Sequence, residues 1–314
     1  MLSTTSAVKV KAPRKSTYHF FGKKYSKQET IIGWLFLIPA VILGIIFIIL
    51  PMIVSLSYSF TNAELLSINS AKFVAFQNFE QAFKDPILRK AFGNTMKFVV
   101  MVIPLQFIVA FLLALILNTK IKGNTFFRWA FFVPVMLSLA VTSMLWMNLL
   151  NEQDGLINSL LNMIGIGRQT FLSDPNKAMV IIVIISAWQG AGYQMLIFLS
   201  ALKNIPRDVY EASAVDGANK WQQLWYITIP SIAPTMSFVL VTMLIGAFRL
   251  MTQPMIMTGG GPMDSTMTMS YYIYKQGIDY GQVGYSSAIA FLYTIFMATI
   301  AIILNKVTGK DNTK

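Results

Sequence analysis

The sequence predicts an all-α, polytopic membrane protein with six transmembrane helices. Two observations predict it. Only 12% of the 314 residues are charged and 55% are hydrophobic, whereas soluble domains carry about 25% charged residues. Six uncharged stretches, 30–63, 98–119, 129–151, 178–202, 221–248 and 280–305, each exceed the roughly 20 residues that a helix needs to cross a bilayer.

Taken in order, residues 1–30 form a basic tail, read as a disordered start followed by an interfacial segment around Tyr18–Tyr25. No small-residue cleavage site follows it, and span 1 is too long for a signal peptide, so it reads as an uncleaved anchor. Span 1 covers about 31–58, with Pro39 and Pro51 expected to kink it. Residues 61–95 read as an outer loop, with Asp85-Pro86 as a turn or helix start and a surface helical hairpin as one reading. Span 2 covers about 98–118 and turns at Lys120–Gly123; span 3 covers about 127–150 and contains Pro134. After the turn signals of 151–177 comes span 4 at about 178–202. A polar segment over 203–229 leads to Pro230, read as the start of span 5 at about 230–250. Residues 251–280 form an outer re-entrant segment, and span 6 runs to about 305. The organisation is therefore a tail (1–30), a six-span domain (31–306) and a short tail (307–314), with no soluble domain.

The formal net charge of +12 invites a nucleic-acid reading. Its distribution argues against one. With six spans and both ends on one side, that side holds 16 of the 25 Lys and Arg; the other holds 8 of the 13 acids. The positive-inside rule then puts both termini and the 203–229 loop in the cytoplasm. With no cysteine and one histidine, His19 in the tail, thiolate chemistry and a histidine metal site are excluded. There is no G-x-x-x-x-G-K-[ST] motif, so any ATPase must be another polypeptide. The chain reads as no enzyme, with no cofactor, and no acid or base lies in the six uncharged windows to serve the ion relay of a self-contained secondary transporter.

The 203–229 segment is unusually well specified for a loop. Pro206 and Asp208 mark a helix start, the helix runs to about Val215, and Gly217 suits the left-handed residue that ends it. Asn219 with Gln222 resembles a capping box opening a second helix, which places Trp221, Leu224 and Trp225 on one face. Such starts and stops suggest a docking element. Glu211-Ala212-Ser213-Ala214-Val215-Asp216-Gly217-Ala218, followed by Ile227-Thr228-Ile229-Pro230, closely resembles the EAA loop of binding-protein-dependent ABC importer permeases. Ser213 replaces the family's second Ala, and Ile229 its Leu. Trp188–Tyr193, Met257–Pro262, Tyr271–Tyr274 and Gly284–Ala288 resemble the maltose and glycerol-3-phosphate type within that family, and the 73–95 segment resembles the family's stretch after span 1.

The resemblance covers roughly 30–305 and implies a type I ABC importer permease fold in the cell membrane. It also implies four kinds of partner: a second homologous permease subunit forming a heterodimer, two copies of a cytosolic ATP-binding subunit, an extracytoplasmic sugar-binding protein, and the bilayer. The loop would dock into the ATPase. Glu211 would offer an acid to its groove, Asp216 would cap the turn, and Gly217 beside Ala212, Ala214 and Ala218 would allow close approach.

A sugar path calls for amides, hydroxyls and aromatic faces rather than fixed charge. Gln189 and Tyr193 lie four apart near the middle of span 4, with Gly190 making room. On chemistry alone they fit sugar contact or interhelical packing. In the resembling maltose-type subunits the positions matching Gln189, Gly190 and Tyr193 line the sugar site. Gln253, beside Pro254, is a further path candidate. Arg249 fits either an arginine reaching the headgroups or a contact for an anionic sugar or sugar phosphate.

Overall fold

The computed structural model describes residues 17–20, 23–119 and 122–309. The tail before residue 17, the turn residues Lys120-Ile121 and the end beyond 309 lie outside the described residues. The chain falls into two units, Met1–Ser57 and Tyr58–Lys314.

In the first unit the stretch expected at the interface contains an antiparallel ribbon, β1 (Thr17–Phe20) with β2 (Lys23–Ser26), pairing Thr17 with Ser26 and Phe20 with Lys23. Then come α1 (Lys27–Gly44), a π turn over Ile45–Ile49 and α2 (Leu50–Tyr58). Together they contain the candidate span Ile32–Tyr58. It buries none of its apolar window within the chain, as suits a helix solvated by lipid. Pro51 leaves the helix unbroken. The Leu50 amide bonds Ile45 O, one residue further back than in an α-helix, so the ladder slips just before the residue that lacks an N–H.

The second unit opens with Asn78, at the start of α3 (Gln77–Lys84), donating to Ser59 O and Thr61 O. α4 (Pro86–Asn118) starts twelve residues before the expected span, so the second half of the expected outer hairpin is helix continuous with span 2. The cause is local. Asp85 Oδ1 accepts from Ile87 N and Leu88 N as an N-cap, and Pro86 fills the first position, where its missing N–H costs nothing.

Span 3 is the main departure. It consists of α5 (Asn124–Met136) and α6 (Leu139–Leu149), bent by 98°. The span expected over 127–150 is thus a bent pair of helices, a broken span or a re-entrant loop. Leu137 leaves the helix in extended conformation just after Pro134, and its carbonyl is recovered by Gln189 Nε2 at 3.2 Å. α7 (Leu156–Met163) lies in the next loop, where the buried Asn158 ties Asn151 to Gln169.

α8 (Ala178–Lys203) is the central helix, half buried over its apolar window, and packs most extensively on α4 and then on α5. Its contact with α5 is very close: a Cβ on Gly192 would fall 2.1 Å from Phe131 O. After α9 (Arg207–Val215), α10 (Lys220–Gln223) passes through a π turn over Leu224–Thr228 into α11 (Ile229–Phe248) without a break. Pro230 is thus not a boundary. As before Pro51, the preceding amide, Ile229 N, reaches back to Leu224 O. α12 (Thr252–Met257) packs on α6, and α13 (Met269–Tyr274) is followed by a π turn over Lys275–Asp279 and by α14 (Val283–Gly309).

Asp85 also binds α13 and α14 to the start of α4. Its Oδ2 accepts from Tyr272 OH at 2.5 Å and Tyr285 OH at 2.6 Å, and Gln276 Nε2 donates to Tyr272 OH. Partial burial pushes the Asp85 carboxyl up. The bonds from Tyr272 and Tyr285 and from two backbone amides outweigh this and hold it below the usual carboxylate range. Burial and then Asp85 itself push the Tyr272 phenol up, so it remains a donor. With the folded-state pKa lowered, this stabilisation is present above the ordinary carboxylate range and is lost as pH falls through the depressed value. Asp85→Asn keeps a capping oxygen but leaves the two phenols without their charged acceptor. It is expected to cost about 1–3 kcal/mol, read as a lower melting temperature at neutral pH, with the gap to the parent narrowing on acidification.

Candidate functional site

Two sites stand out in the second unit. The first is a cleft of about 390 Å³ between α4, α8, the start of α12 and the end of α11, with the α5–α6 bend as one wall. It lies beside the middle of α8, since Gln189 is about 16 Å from that helix's start at 1.5 Å per residue. The cleft brings together all five path candidates: Gln189, Gly190, Tyr193, Arg249 and Gln253.

Their states differ. Gln189 is 6% exposed, and its Nε2 bonds Leu137 O and Thr142 Oγ1, bracing the bend; its Oε1 is buried without a partner among the described residues. Gln253 is 2% exposed; its Oε1 lies 2.5 Å from Ser186 Oγ, and its Nε2 is left over. Ser186 also donates to Ile182 O, and one hydroxyl proton cannot serve two acceptors fully. The Gln253 amide is therefore equally well satisfied turned end for end, and in both orientations one end lacks a partner. Tyr193 is 50% exposed and offers a phenol and a ring face.

Gly190 makes room for a neighbour that sequence reasoning missed. A Cβ there would fall 2.3 Å from Gln106 Nε2, which donates to Gln194 Oε1 at 3.0 Å, and both residues line the cleft. An amide inside an uncharged span is the signal that singles out Gln189, and applied to span 2 it finds Gln106. Thr242, Ser186 and Thr252 add hydroxyls. Gln189→Leu removes a brace as well as a polar group of the wall. Transport is expected to fall by about 5-fold or more, on the scale of one lost hydrogen bond, while the assembled protein is still recovered; unchanged uptake kinetics would leave Gln189 as packing only.

The second site is the loop after α8. Gly217, at φ +81°, closes α9 in a Schellman motif: its N–H bonds Ala214 O and the Ala218 N–H bonds Ser213 O. The Asn219–Gln222 capping box forms with both bonds present. Asp216 does not cap with its side chain: its carboxylate has no partner among the described residues, and the turn is closed instead by the backbone N–H groups of Gly217 and Ala218. Ser213 uses the hydroxyl that its replacement for Ala supplies, donating to Tyr210 O and accepting from Gln223 Nε2, while Tyr210 OH meets Thr228 Oγ1 at 2.8 Å. The hairpin is thus cross-tied from behind. Glu211, Ala212, Ala214, Asp216 and Gly217 are exposed, Ala218 is half-buried, and Val215 is an apolar knob 88% exposed.

Residues 88–310 match the family described as binding-protein-dependent transport system inner membrane component. The chain belongs to this family. The match begins in the first turn of α4 and takes in the cleft and the capped hairpin. The probable ABC transporter permease protein YurN of Bacillus subtilis is 34% identical over 291 residues, covering 90% of this chain and 99% of that protein. The multiple sugar-binding transport system permease protein MsmF of Streptococcus mutans is 32% identical over 278 residues, covering 88% and 95%. Among solved structures, a chain of a bacterial alginate ABC transporter, crystallised with an alginate pentasaccharide-bound periplasmic protein, has a TM-score of 0.82 at 23% identity, covering 91% of this chain and 97% of that one. That likeness gives the fold. The family's membrane component is a permease, and the apolar helices make this chain a multi-pass membrane protein.

Proposed function

We propose that this protein is one permease subunit of an ATP-driven, binding-protein-dependent importer of carbohydrate, with an oligosaccharide as its cargo. It forms half of the translocation path. A second, homologous permease subunit forms the other half, two copies of a cytosolic ATPase drive the pair, and an extracytoplasmic binding protein delivers the sugar. The 203–229 loop is the contact with the ATPase. The charge distribution supports a cytoplasmic position for this loop and both termini.

The observation that carries the carbohydrate reading is the cleft's unused polar capacity. Buried amide ends without partners are costly. A sugar hydroxyl donates and accepts at once, so it can satisfy Gln189 Oε1 and the free end of Gln253, while Tyr193 offers a ring to the C–H face. The name of MsmF, a multiple sugar-binding system permease, supports the same class. The loop reading is supported by a hairpin cross-tied through Tyr210, Ser213, Gln223 and Thr228, with Glu211, Ala212, Ala214, Asp216 and Gly217 exposed.

The test is ATP hydrolysis by the reconstituted importer with its binding protein, against a panel of oligosaccharides and, as controls, amino acids and peptides. Stimulation by sugars alone is expected. Stimulation by the amino acids or peptides and by no sugar would overturn the carbohydrate reading.

A further inference from the structure

We propose that Arg249 makes the cleft selective for acidic saccharides: the cargo carries an anionic group, such as a carboxylate, sulfonate or phosphate, that this guanidinium receives. The proposal rests on the carbohydrate reading above and narrows its substrate class.

Arg249 is the only charged residue among those lining the cleft; the rest of the wall is apolar, hydroxyl or amide. Its side chain has no ion pair, hydrogen bond or ring contact among the described residues. The ion pairs found there are Lys84–Glu80 and Lys177–Asp174, both outside the cleft. Arg128, by contrast, spends a guanidinium N–H on Leu117 O. Arg249 caps nothing with its side chain either. It ends α11, and the carbonyls it could have served, Gly246 O and Ala247 O, are taken by the backbone amides of Arg249 and Leu250. Its head is therefore unclaimed, and it sits four residues from Gln253, whose amide has an end to spare.

A neutral sugar can accept N–H bonds from a guanidinium but offers nothing to balance its charge. Arg249 is exposed in the cleft wall, so its charge stays hydrated until cargo covers it; a neutral cargo then strips that water and supplies no counter-charge. For an oxyanion the sign reverses. The planar fork accepts a carboxylate or phosphate through two parallel bonds, with geometry as well as charge. The amide ends of Gln189 and Gln253 and the phenol of Tyr193 then take hydroxyls of the same sugar unit.

The experiment measures uptake by proteoliposomes holding the complete importer with its binding protein. The cargo is a set of uronate, sulfonated and phosphorylated oligosaccharides, each paired with a neutral one of equal length. The parent is expected to take up at least one acidic sugar in preference to its neutral partner. Arg249→Gln should cut the acidic-to-neutral uptake ratio by about 10- to 100-fold, the scale of one charged hydrogen-bond pair. Arg249→Lys, keeping charge but losing the fork, should fall between the two. Arg168→Gln, removing an exposed cation outside the cleft, should leave the ratio unchanged. Because the ratio is taken within one preparation, a difference in assembly cancels. If Arg249→Gln yields too little protein, Arg249→Met, which also removes the charge, decides: a ratio equal to the parent's overturns the proposal. An Arg249→Gln ratio equal to the parent's, or a parent that takes up only neutral sugars, overturns it while leaving the carbohydrate reading standing. An importer that takes up none of the sugars overturns both.

Discussion

Gly217→Pro is expected to abolish transport and sugar-stimulated ATP hydrolysis while leaving the membrane helices folded. At φ +81° this residue sits where proline, fixed near −65°, cannot follow. The substitution also removes the N–H that bonds Ala214 O, opening the Schellman motif from both sides. Nothing lies within 4 Å of a Cβ at this position, so the damage is confined to the backbone of the turn and does not spread by collision. The α9 end of the hairpin would then swing relative to the α10 end, although the ties from Gln223 to Ser213 and from Tyr210 to Thr228 hold its base. On the proposed coupling role, a contact that transmits force needs one fixed shape, and losing it removes coupling worth about 5- to 150-fold. Gly217→Ala tests the same point more gently: it keeps the N–H and meets no neighbour, so it costs only the left-handed strain of about 1–2 kcal/mol. It should retain partial coupling. The readouts are recovery of the ATPase subunit with the purified permease, sugar-stimulated hydrolysis, and melting of the permease itself. A Gly217→Pro importer with normal ATPase recovery and normal stimulation would remove the loop from the coupling path.

Much of this hairpin is legible in the sequence because its signals are local. Pro206, Gly217 and the Asn219–Gln222 pair each act within four residues, and α9 ends at Val215 where the pattern puts it. The spans are legible in number but less so in shape. Length and hydropathy report that a stretch can cross a bilayer, not that it does so straight. At the 98° bend of span 3 the Leu137 carbonyl is recovered by Gln189 from another helix, and no window over 127–150 contains that partner. The opposite error arises at Pro51 and Pro230. Pro51 reads as a kink and Pro230 as a span start, but a π turn just upstream of each lets the helix run on. At the cleft the sequence finds residues by type, and their division of labour appears only in three dimensions. Gln189 reads as either path or packing; its nitrogen packs against the bend while its oxygen is free. Asp216 shows the limit of motif reading, since a capping residue type is present and the glycine beside it does the capping.

Gly190 and Gly192 make room for different neighbours, and alanine should separate them. At Gly192 the added Cβ would fall 2.1 Å from Phe131 O, 2.9 Å from Phe131 C and 3.2 Å from Phe132 Cα, all backbone of α5. Backbone cannot rotate away, so α5 must move off α8. That shift also loosens the bend after it, where Leu137 and Leu139 form the cleft wall. Overpacking of this kind costs about 1–3 kcal/mol, occasionally more, and should appear as a clear drop in the melting temperature of the purified importer and a lower yield. At Gly190 the Cβ would meet Gln106 Nε2 at 2.3 Å and Gln106 Cδ at 2.9 Å, the far end of a flexible side chain. Gln106 can turn away, giving up its bond to Gln194 and projecting into the cleft. Gly190→Ala is therefore expected to melt within a few degrees of the parent yet transport poorly, with the loss in apparent sugar affinity. The helix itself would gain slightly from either alanine, so intrinsic propensity cannot account for a fall in stability. The decisive result is a dissociation: Gly192→Ala losing stability, Gly190→Ala losing transport. If Gly192→Ala melts like the parent, the close crossing of α5 on α8 is not what holds the bend. If Gly190→Ala transports like the parent, the space it leaves for Gln106 serves packing, and the cleft's polar wall begins at Gln189.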